Sequence, residues 1–280
     1  MSIMSGITWV HLSDWHQGAT DFDRGIVKDG LIEDIKERTA RMSPDLERID
    51  FVAFTGDLAF SGTAAQYELA LQEFVRPVLR ACGLVSGGQE LLDRFFIVPG
   101  NHDVNREISA YLRSDLSFFR DRRRLTATLI DANKRSVVMS PLREYEEFVT
   151  KKLNGGGCGK CSSYGFSAAL DIGGHEVRIV GLNSAWLCGL RLDASGEVDD
   201  YGNIIVGEPQ LMHALDGVDG ADLVIGMIHH PFHWLALKDS MDDRAKVRNR
   251  LMDKCHIILH GHEHQPAVIV QETTRGCCVG

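Results

Sequence analysis

Phe95-Phe96-Ile97-Val98-Pro99-Gly100-Asn101-His102-Asp103 runs from an apolar stretch straight into an amide, an imidazole and a carboxylate. Phe95–Val98 predicts a short buried strand. Pro99-Gly100 stops it, because proline brings no N–H to a ladder and glycine lets the chain turn sharply. The same arrangement recurs outward in both directions. Ile49–Phe54 predicts a strand that stops at Thr55-Gly56, with Asp57 next. Ile7–Leu12 predicts a strand that leads into Ser13-Asp14-Trp15-His16. Toward the C-terminus, Leu223–His229 ends in His229-His230, and His256–His260 runs into Gly261-His262-Glu263-His264. Gly165–Ile172 and Glu176–Leu182 read as further strands.

Helical spacing fills the gaps. Ile26–Met42 carries apolar residues at Ile26, Val27, Leu31, Ile32 and Ile35, and Ala64–Leu79 is similarly amphipathic. Helices near Pro209–Leu215 and Asp243–Met252 separate the late strands. Strand, helix, strand, helix, strand is the order of an α/β sheet with crossover connections. Residues 105–160 read mostly as a helical cap or insertion, closed by the glycine-rich loop Asn154–Gly159, and residues 1–280 read as one domain around it. In open α/β sheets, sites form beyond the carboxyl ends of the strands. The five strand ends can therefore meet although some 250 residues separate the first from the last. Their carboxylates, imidazoles and amide oxygen suit borderline divalent metals such as Mn²⁺, Fe²⁺ and Zn²⁺, and no thiolate stands among them.

The set D-x-H, G-D, G-N-H-D, H and G-H-x-H, in this order over residues 14 to 264, resembles the calcineurin-like metallophosphoesterase superfamily. The resemblance implies two packed mixed β-sheets flanked by helices, a four-layer αββα sandwich with a helical insertion. It implies two divalent metal ions, Mn²⁺ foremost, with Fe²⁺/Fe³⁺ or Zn²⁺ as alternatives. Asp14, His16 and His264 would hold one metal, Asn101, His229 and His262 the other, and Asp57 would bridge them. A hydroxide bridging the two metals, which such sites hold roughly 3.5–4 Å apart, would attack a phosphodiester in line. His102 matches the family's catalytic histidine and would assist the leaving group. His230 and His233 lie close enough in sequence to touch substrate. His260 would pack or orient a ligand, and Trp15 would join the core.

One departure bears on the substrate. Protein phosphatases of this superfamily carry a second aspartate after the G-D motif, supporting the catalytic histidine. Phe60 stands there in this chain. The pattern is closer to the phosphodiesterase and nuclease branches, with a cyclic nucleotide or a nucleic acid as substrate. A phosphomonoesterase or protein phosphatase, and a metal-binding scaffold without turnover, remain as alternatives. Leu182-Asn183-Ser184-Ala185-Trp186, Ile205–Leu211 and His229-His230-Pro231 resemble a bacterial subgroup in which this module is N-terminal to further domains of a signalling or defence protein. The end at Gly276–Gly280, just after the apolar Ala267–Val270, suggests additional C-terminal domains or self-association, and a nuclease effector is the corresponding alternative.

Composition sets limits around this reading. The formal net charge of −9 argues against coating nucleic acid by bulk positive charge. Bound divalent ions would add local positive charge that this count omits. The basic groups at Arg120, Arg122, Arg123 and Arg124 and at Arg244, Lys246, Arg248 and Arg250 read as solvated helix faces. Seven cysteines, an odd number in a chain of 280, do not form a disulfide framework and fit a reducing, cytoplasmic setting. Cys158-Gly159-Lys160-Cys161 is a lone C-x-x-C without a partner pair. No apolar run reaches the roughly 18 residues of a membrane span, and no secretory signal opens the chain.

Overall fold

Three apolar segments pair side by side in parallel: β1 (Trp9–Leu12), β2 (Phe51–Phe54) and, after a small antiparallel hairpin of β3 (Val85–Ser86) and β4 (Gln89–Glu90), β5 (Phe95–Ile97). Every residue of β2 is buried, as expected of a parallel strand covered on both faces. The register sets Leu12 against Phe54 and Phe54 against Ile97. The three strands therefore end level, and the loops that follow them emerge together. The computed structural model describes residues 6–19, 24–113, 121–153, 161–237, 243–264 and 277–278.

The second sheet is mixed. β6 (Phe166–Ile172) and β7 (His175–Leu182) form an antiparallel hairpin, and β8 (Leu223–Ile228), β9 (Ile257–Leu259) and β10 (Cys277–Cys278) follow in parallel. In β6, Phe166, Ala168, Leu170 and Ile172 are buried in alternation with more exposed residues, the signature of an edge strand with one face on the core. Leu182 pairs with Ile228 and Met227 with Leu259, so these strands also end at one edge. Six of these strands are shorter by one or two residues than the apolar runs that announced them, since a ladder needs a partner and an apolar run does not, while β7 starts one residue earlier, at His175.

Ile26–Met42 forms two helices, Arg24–Lys36 and Arg38–Arg41. Its apolar face is only partly used: Ile35 is buried, while Ile26 and Val27 are 69% and 63% exposed. Ala64–Ala70 and Arg76–Ala81 are joined by a π turn, Leu71–Val75, closed by Arg76 N–H to the Leu71 carbonyl. The widened turn falls just before Pro77, which has no N–H and crowds the carbonyl four residues back.

Within 105–160, helices span Arg106–Leu112, Arg122–Ile130, Ala132–Val138 and Arg143–Phe148. Tyr145 is fully buried there and its hydroxyl donates to the Ile97 carbonyl at 2.9 Å, tying this stretch to the end of β5. The expected loop Asn154–Gly159, Cys158 of the C-x-x-C pair and the apolar Ala267–Val270 lie outside the described residues. Among the described residues no helix is long and apolar enough to cross a membrane.

Candidate metal centre

The loops after β1, β2 and β5 are knitted by one carboxylate. Asp103 is fully buried. Its Oδ2 accepts from Asp57 N at 2.8 Å and Gly100 N at 2.9 Å, and its Oδ1 from Ala59 N and the Tyr67 hydroxyl, both at 2.9 Å. Burial, then the neighbouring charge of Asp57, pushes this carboxyl up to about 6, against the pull of its donors. Leu58 N also approaches Oδ2 at 3.4 Å, and such main-chain and hydroxyl donors from separate segments cannot be read from residue types. Asp57 Oδ1 in turn accepts from His102 N at 2.7 Å. The loops approach so closely that a Cβ on Gly56 would lie 2.5 Å from His229 Nδ1.

The second sheet supplies imidazoles from across the gap. His229 is fully buried. Its Nδ1 donates to the Thr55 carbonyl at 2.7 Å, which turns Nε2 toward the centre. That nitrogen lies 3.1 Å from Asn101 Oδ1, 3.2 Å from His262 Nδ1 and 3.4 Å from Asp57 Oδ2. On the other side, His264 Nε2 and His16 Nε2 lie 3.5 Å and 3.8 Å from Asp14 Oδ1, and His16 Nε2 is 4.0 Å from Asp57 Oδ2. Asp14 Oδ2 accepts from His262 N at 3.0 Å and from the Ser13 hydroxyl. Two groups result, Asp14 with His16 and His264, and His229 with His262 and Asn101, and Asp57 reaches both.

The electrostatics suit a cation. Burial alone would raise Asp57 and lower His229, but their mutual attraction outweighs it, holding the carboxyl below its usual range and His229 at about 9. Burial lowers His16, and lowers His262 to about 4, so both present neutral imidazoles. Asp14 Oδ1 and both ring nitrogens of His16 are buried without a hydrogen-bond partner. Such orphaned polar atoms are costly in a protein interior, and a divalent ion would satisfy them. The donor set of carboxylate, imidazole and amide oxygen fits borderline divalent metals.

Backbone geometry marks the same residues. Among the described residues, the non-glycine positions with positive φ are Asp14, His16, Asp57, His262 and His264. Left-handed backbone costs non-glycine residues about 1–3 kcal/mol each and collects at functional sites.

His102 stands at the edge of the cluster, with a ring nitrogen within 4.8 Å of ligand atoms of His16 and Asp57. Its Nδ1 lies 3.0 Å from the Phe60 carbonyl, and the Phe60 ring stacks on it at 5.0 Å. The absent aspartate is thus replaced by a main-chain oxygen, which every residue type carries and no motif reveals. His230, expected at the substrate, is fully buried instead, with Nδ1 at 2.8 Å from the Ser184 hydroxyl and Nε2 at 3.9 Å from Cys188 Sγ. His233 is on the rim, paired with Glu263 at 2.8 Å. His260 Nδ1 lies 3.3 Å from the Gly261 carbonyl, so its hydrogen bond goes to main chain and not to a ligand side chain. Trp15 is half-buried and stacks on Phe74 at 4.3 Å.

The sequence profile of the calcineurin-like phosphoesterases matches residues 7–266. The chain belongs to the calcineurin-like phosphoesterase family. A relative within this phosphoesterase family, the "uncharacterized metallophosphoesterase-like protein YydB" of Bacillus subtilis (strain 168), is 28% identical over 109 residues, covering 39% of this chain and 20% of that protein's length. Among solved structures, a putative 5'-nucleotidase from Staphylococcus aureus in complex with alpha-ketoglutarate aligns with a TM-score of 0.43 at 13% identity, over 98% of this chain and 48% of that one. A hypothetical protein from Thermus thermophilus aligns with a TM-score of 0.40 at 12% identity, over 97% and 74%.

Proposed function

We propose that this phosphoesterase hydrolyses phosphodiesters with the help of two divalent metal ions, Mn²⁺ foremost. The observation that carries the reading is the pair of ligand groups joined through Asp57, with His102 anchored at their edge. Asp14, His16 and His264 would hold one ion, Asn101, His229 and His262 the other, and Asp57 would serve both. Bound there, the ions supply Lewis acidity that lowers the pKa of water and offsets charge on the phosphate oxygens.

The chain's own residues do the rest. Thr55 O fixes the His229 tautomer, and Asp103 fixes the Asp57 loop. The Phe60 carbonyl takes the Nδ1 proton of His102 in a hydrogen bond and so aims Nε2 as the nitrogen free to protonate the leaving oxygen. A carbonyl orients this ring with a dipole where protein phosphatases use a charge. A phosphodiester carries one negative charge and a monoester about −1.5 to −2 near neutral pH. Phe60, standing where protein phosphatases carry the second aspartate, supports the diester, a cyclic nucleotide or a nucleic acid strand.

The test compares hydrolysis of bis-p-nitrophenyl phosphate and p-nitrophenyl phosphate with Mn²⁺ present, with His102→Ala and Asp57→Ala as controls. Diester cleavage that both substitutions abolish is the expected result. A preference for the monoester overturns the phosphodiesterase reading. Silence on both esters, with metal bound, would favour a scaffold or an effector that acts only with further domains.

A further inference from the structure

A recess of about 290 Å³ opens beside His102, lined by Phe60, Ser61, Thr63, Arg106 and Glu107. Phe60 is 41% exposed although its ring is large and apolar. That ring lies 5.0 Å from the His102 ring with 25° between their planes, while the Phe60 carbonyl faces His102 Nδ1. One residue thus orients the histidine through its backbone and offers an aromatic surface through its side chain. The wall behind it is fixed. Ser61 N donates to Gln66 Oε1 at 2.8 Å, and Gly62, at φ +59, runs so close to the Asp103 carbonyl that no Cβ would fit. Arg106, at the first turn of helix Arg106–Leu112, is exposed and adds a cation to the recess.

His102 is the group that would protonate the leaving oxygen, so a recess beside it lies on the leaving group's side. An exposed aromatic ring near a guanidinium is the pairing that binds a base and a phosphate of single-stranded nucleic acid. The volume is just below the roughly 300–1,000 Å³ of small-molecule sites, which suits one nucleoside and excludes a stacked duplex. Glu107 on the same rim repels anions and restricts a phosphate to the Arg106 side.

We propose that this recess is a leaving-group subsite for a nucleoside bearing a further phosphate, with Phe60 stacking on the base and Arg106 pairing with the phosphate. The proposal rests on the phosphodiesterase reading above. In the step it serves, water adds to phosphorus and the bond to the nucleoside oxygen breaks. The electron pair leaves with that oxygen, which takes the His102 proton. One proton of the water returns to His102 through solvent, and the products are a phosphomonoester and a nucleoside alcohol.

The experiment uses a deoxydinucleotide and two analogues in which an abasic unit replaces one nucleoside or the other, so that the acidity of the leaving alcohol barely changes. The wild-type chain should prefer the base-bearing substrate over one of the two analogues by about tenfold in kcat/KM, the range expected for one stacked base. Phe60→Leu should bring that ratio close to one, whatever it does to the absolute rates. A phosphate added beyond the leaving nucleoside should speed the wild type, with the gain lost in Arg106→Ala and partly kept in Arg106→Lys. A dinucleotide and a longer single strand share this chemistry, and their relative rates tell which is the source. Equal rates for the dinucleotide and both abasic analogues, with bis-p-nitrophenyl phosphate still cleaved, would overturn the subsite and leave the phosphodiesterase reading intact. If no diester is cleaved, that reading fails, and calorimetry of the metal-free chain decides the subsite by itself. Adenosine 3′-phosphate should bind more tightly than ribose 3-phosphate, by a margin that Phe60→Leu removes, and equal affinities would overturn it.

Discussion

At the metal edge, left-handed backbone falls on Asp14, His16, Asp57, His262 and His264, whereas in the 183–207 connection it falls on Gly189, Gly196, Gly202 and Gly207. Both regions turn the chain sharply, and each is held by a buried aspartate. Asp103 accepts from the amides of Asp57, Ala59 and Gly100. Asp243 accepts from Val206 N at 2.6 Å and Gly207 N at 3.1 Å. Where the side chain has no task, glycine takes the turn at little steric cost. Where a carboxylate or imidazole is needed at that point, the strain is accepted and the surrounding hydrogen bonds enforce it.

Asp57→Asn would break this comparison most severely. Asparagine tolerates left-handed backbone better than most residues, so the turn should survive while the charge is lost. Turnover of bis-p-nitrophenyl phosphate should fall on the order of 10³-fold, in the range for loss of a key electrostatic group. The urea midpoint without metal should fall, because the attraction between Asp57 and His229 that outweighs their burial is lost. Activity within tenfold of wild type would show that the charge at Asp57 is not what the strained turn is kept for.

Asp103→Ala tests the clamp without touching a proposed ligand. It takes the carboxylate from four buried amides, those of Asp57, Leu58, Ala59 and Gly100, and leaves the Tyr67 hydroxyl only its 3.4 Å contact with the residue-103 carbonyl. The expected loss is about 3 kcal/mol in urea unfolding. Mn²⁺ affinity should drop about 10- to 100-fold, as when an outer partner of a metal site is removed. A loss below about 1 kcal/mol would mean that the loops keep their shape without this carboxylate.

The alternation of apolar runs and helical spacing is enough to place β1, β2 and β5 to β9, because buried strands are continuous or alternating in hydrophobicity, whereas the two-residue strands β3, β4 and β10 carry no such run. The ligand clusters were legible because each motif sits directly after such a run. What stayed hidden were main-chain partners: the Phe60 carbonyl behind His102, Thr55 O behind His229, and the amides around Asp103. Adjacency to His229 likewise could not show that His230 would be buried beside the cluster, its ring 4.6 Å from that of His262 and its Nδ1 2.8 Å from the Ser184 hydroxyl. Helical spacing likewise could not say how far the face with Ile26 and Val27 would be covered.

Asp243 gives the comparison a pH axis. Burial raises its carboxyl to about 6 from an ordinary 3.8, against the pull of the Val206 and Gly207 amides and of Lys246 and Arg122. Between those values the folded chain binds the extra proton. Stability from this group is therefore full below about 4 and is lost as pH rises toward about 6. Asp243→Asn should flatten that slope by about 2 kcal/mol between the two ends. Burial raises Asp103 and Asp200 in the same direction, so the measure is the difference between wild type and variant in urea titrations at stepped pH. Identical slopes would show that Asp243 titrates as an ordinary carboxylate.

The smallest effects separate strain from function most directly. Gly189 has φ +72 and open space where a Cβ would go, so Gly189→Ala adds strain and little else. Its amide and carbonyl keep their bonds to Asp200 and Arg113, and the expected loss is about 1 kcal/mol. His264→Asn makes the reverse change, placing a residue better suited to the left-handed region at φ +51. Its exposed ion pair with Asp14 is worth little. Without metal, this variant should be as stable as the wild type or more stable by up to about 1 kcal/mol, while its Mn²⁺ affinity falls. Opposite signs at the two positions would mean that the metal edge carries strain which the 183–207 connection avoids by using glycine. A loss at both would mean that the backbone at His264 is relaxed, and that the left-handed turns at this edge follow from local sequence and not from the demands of the site.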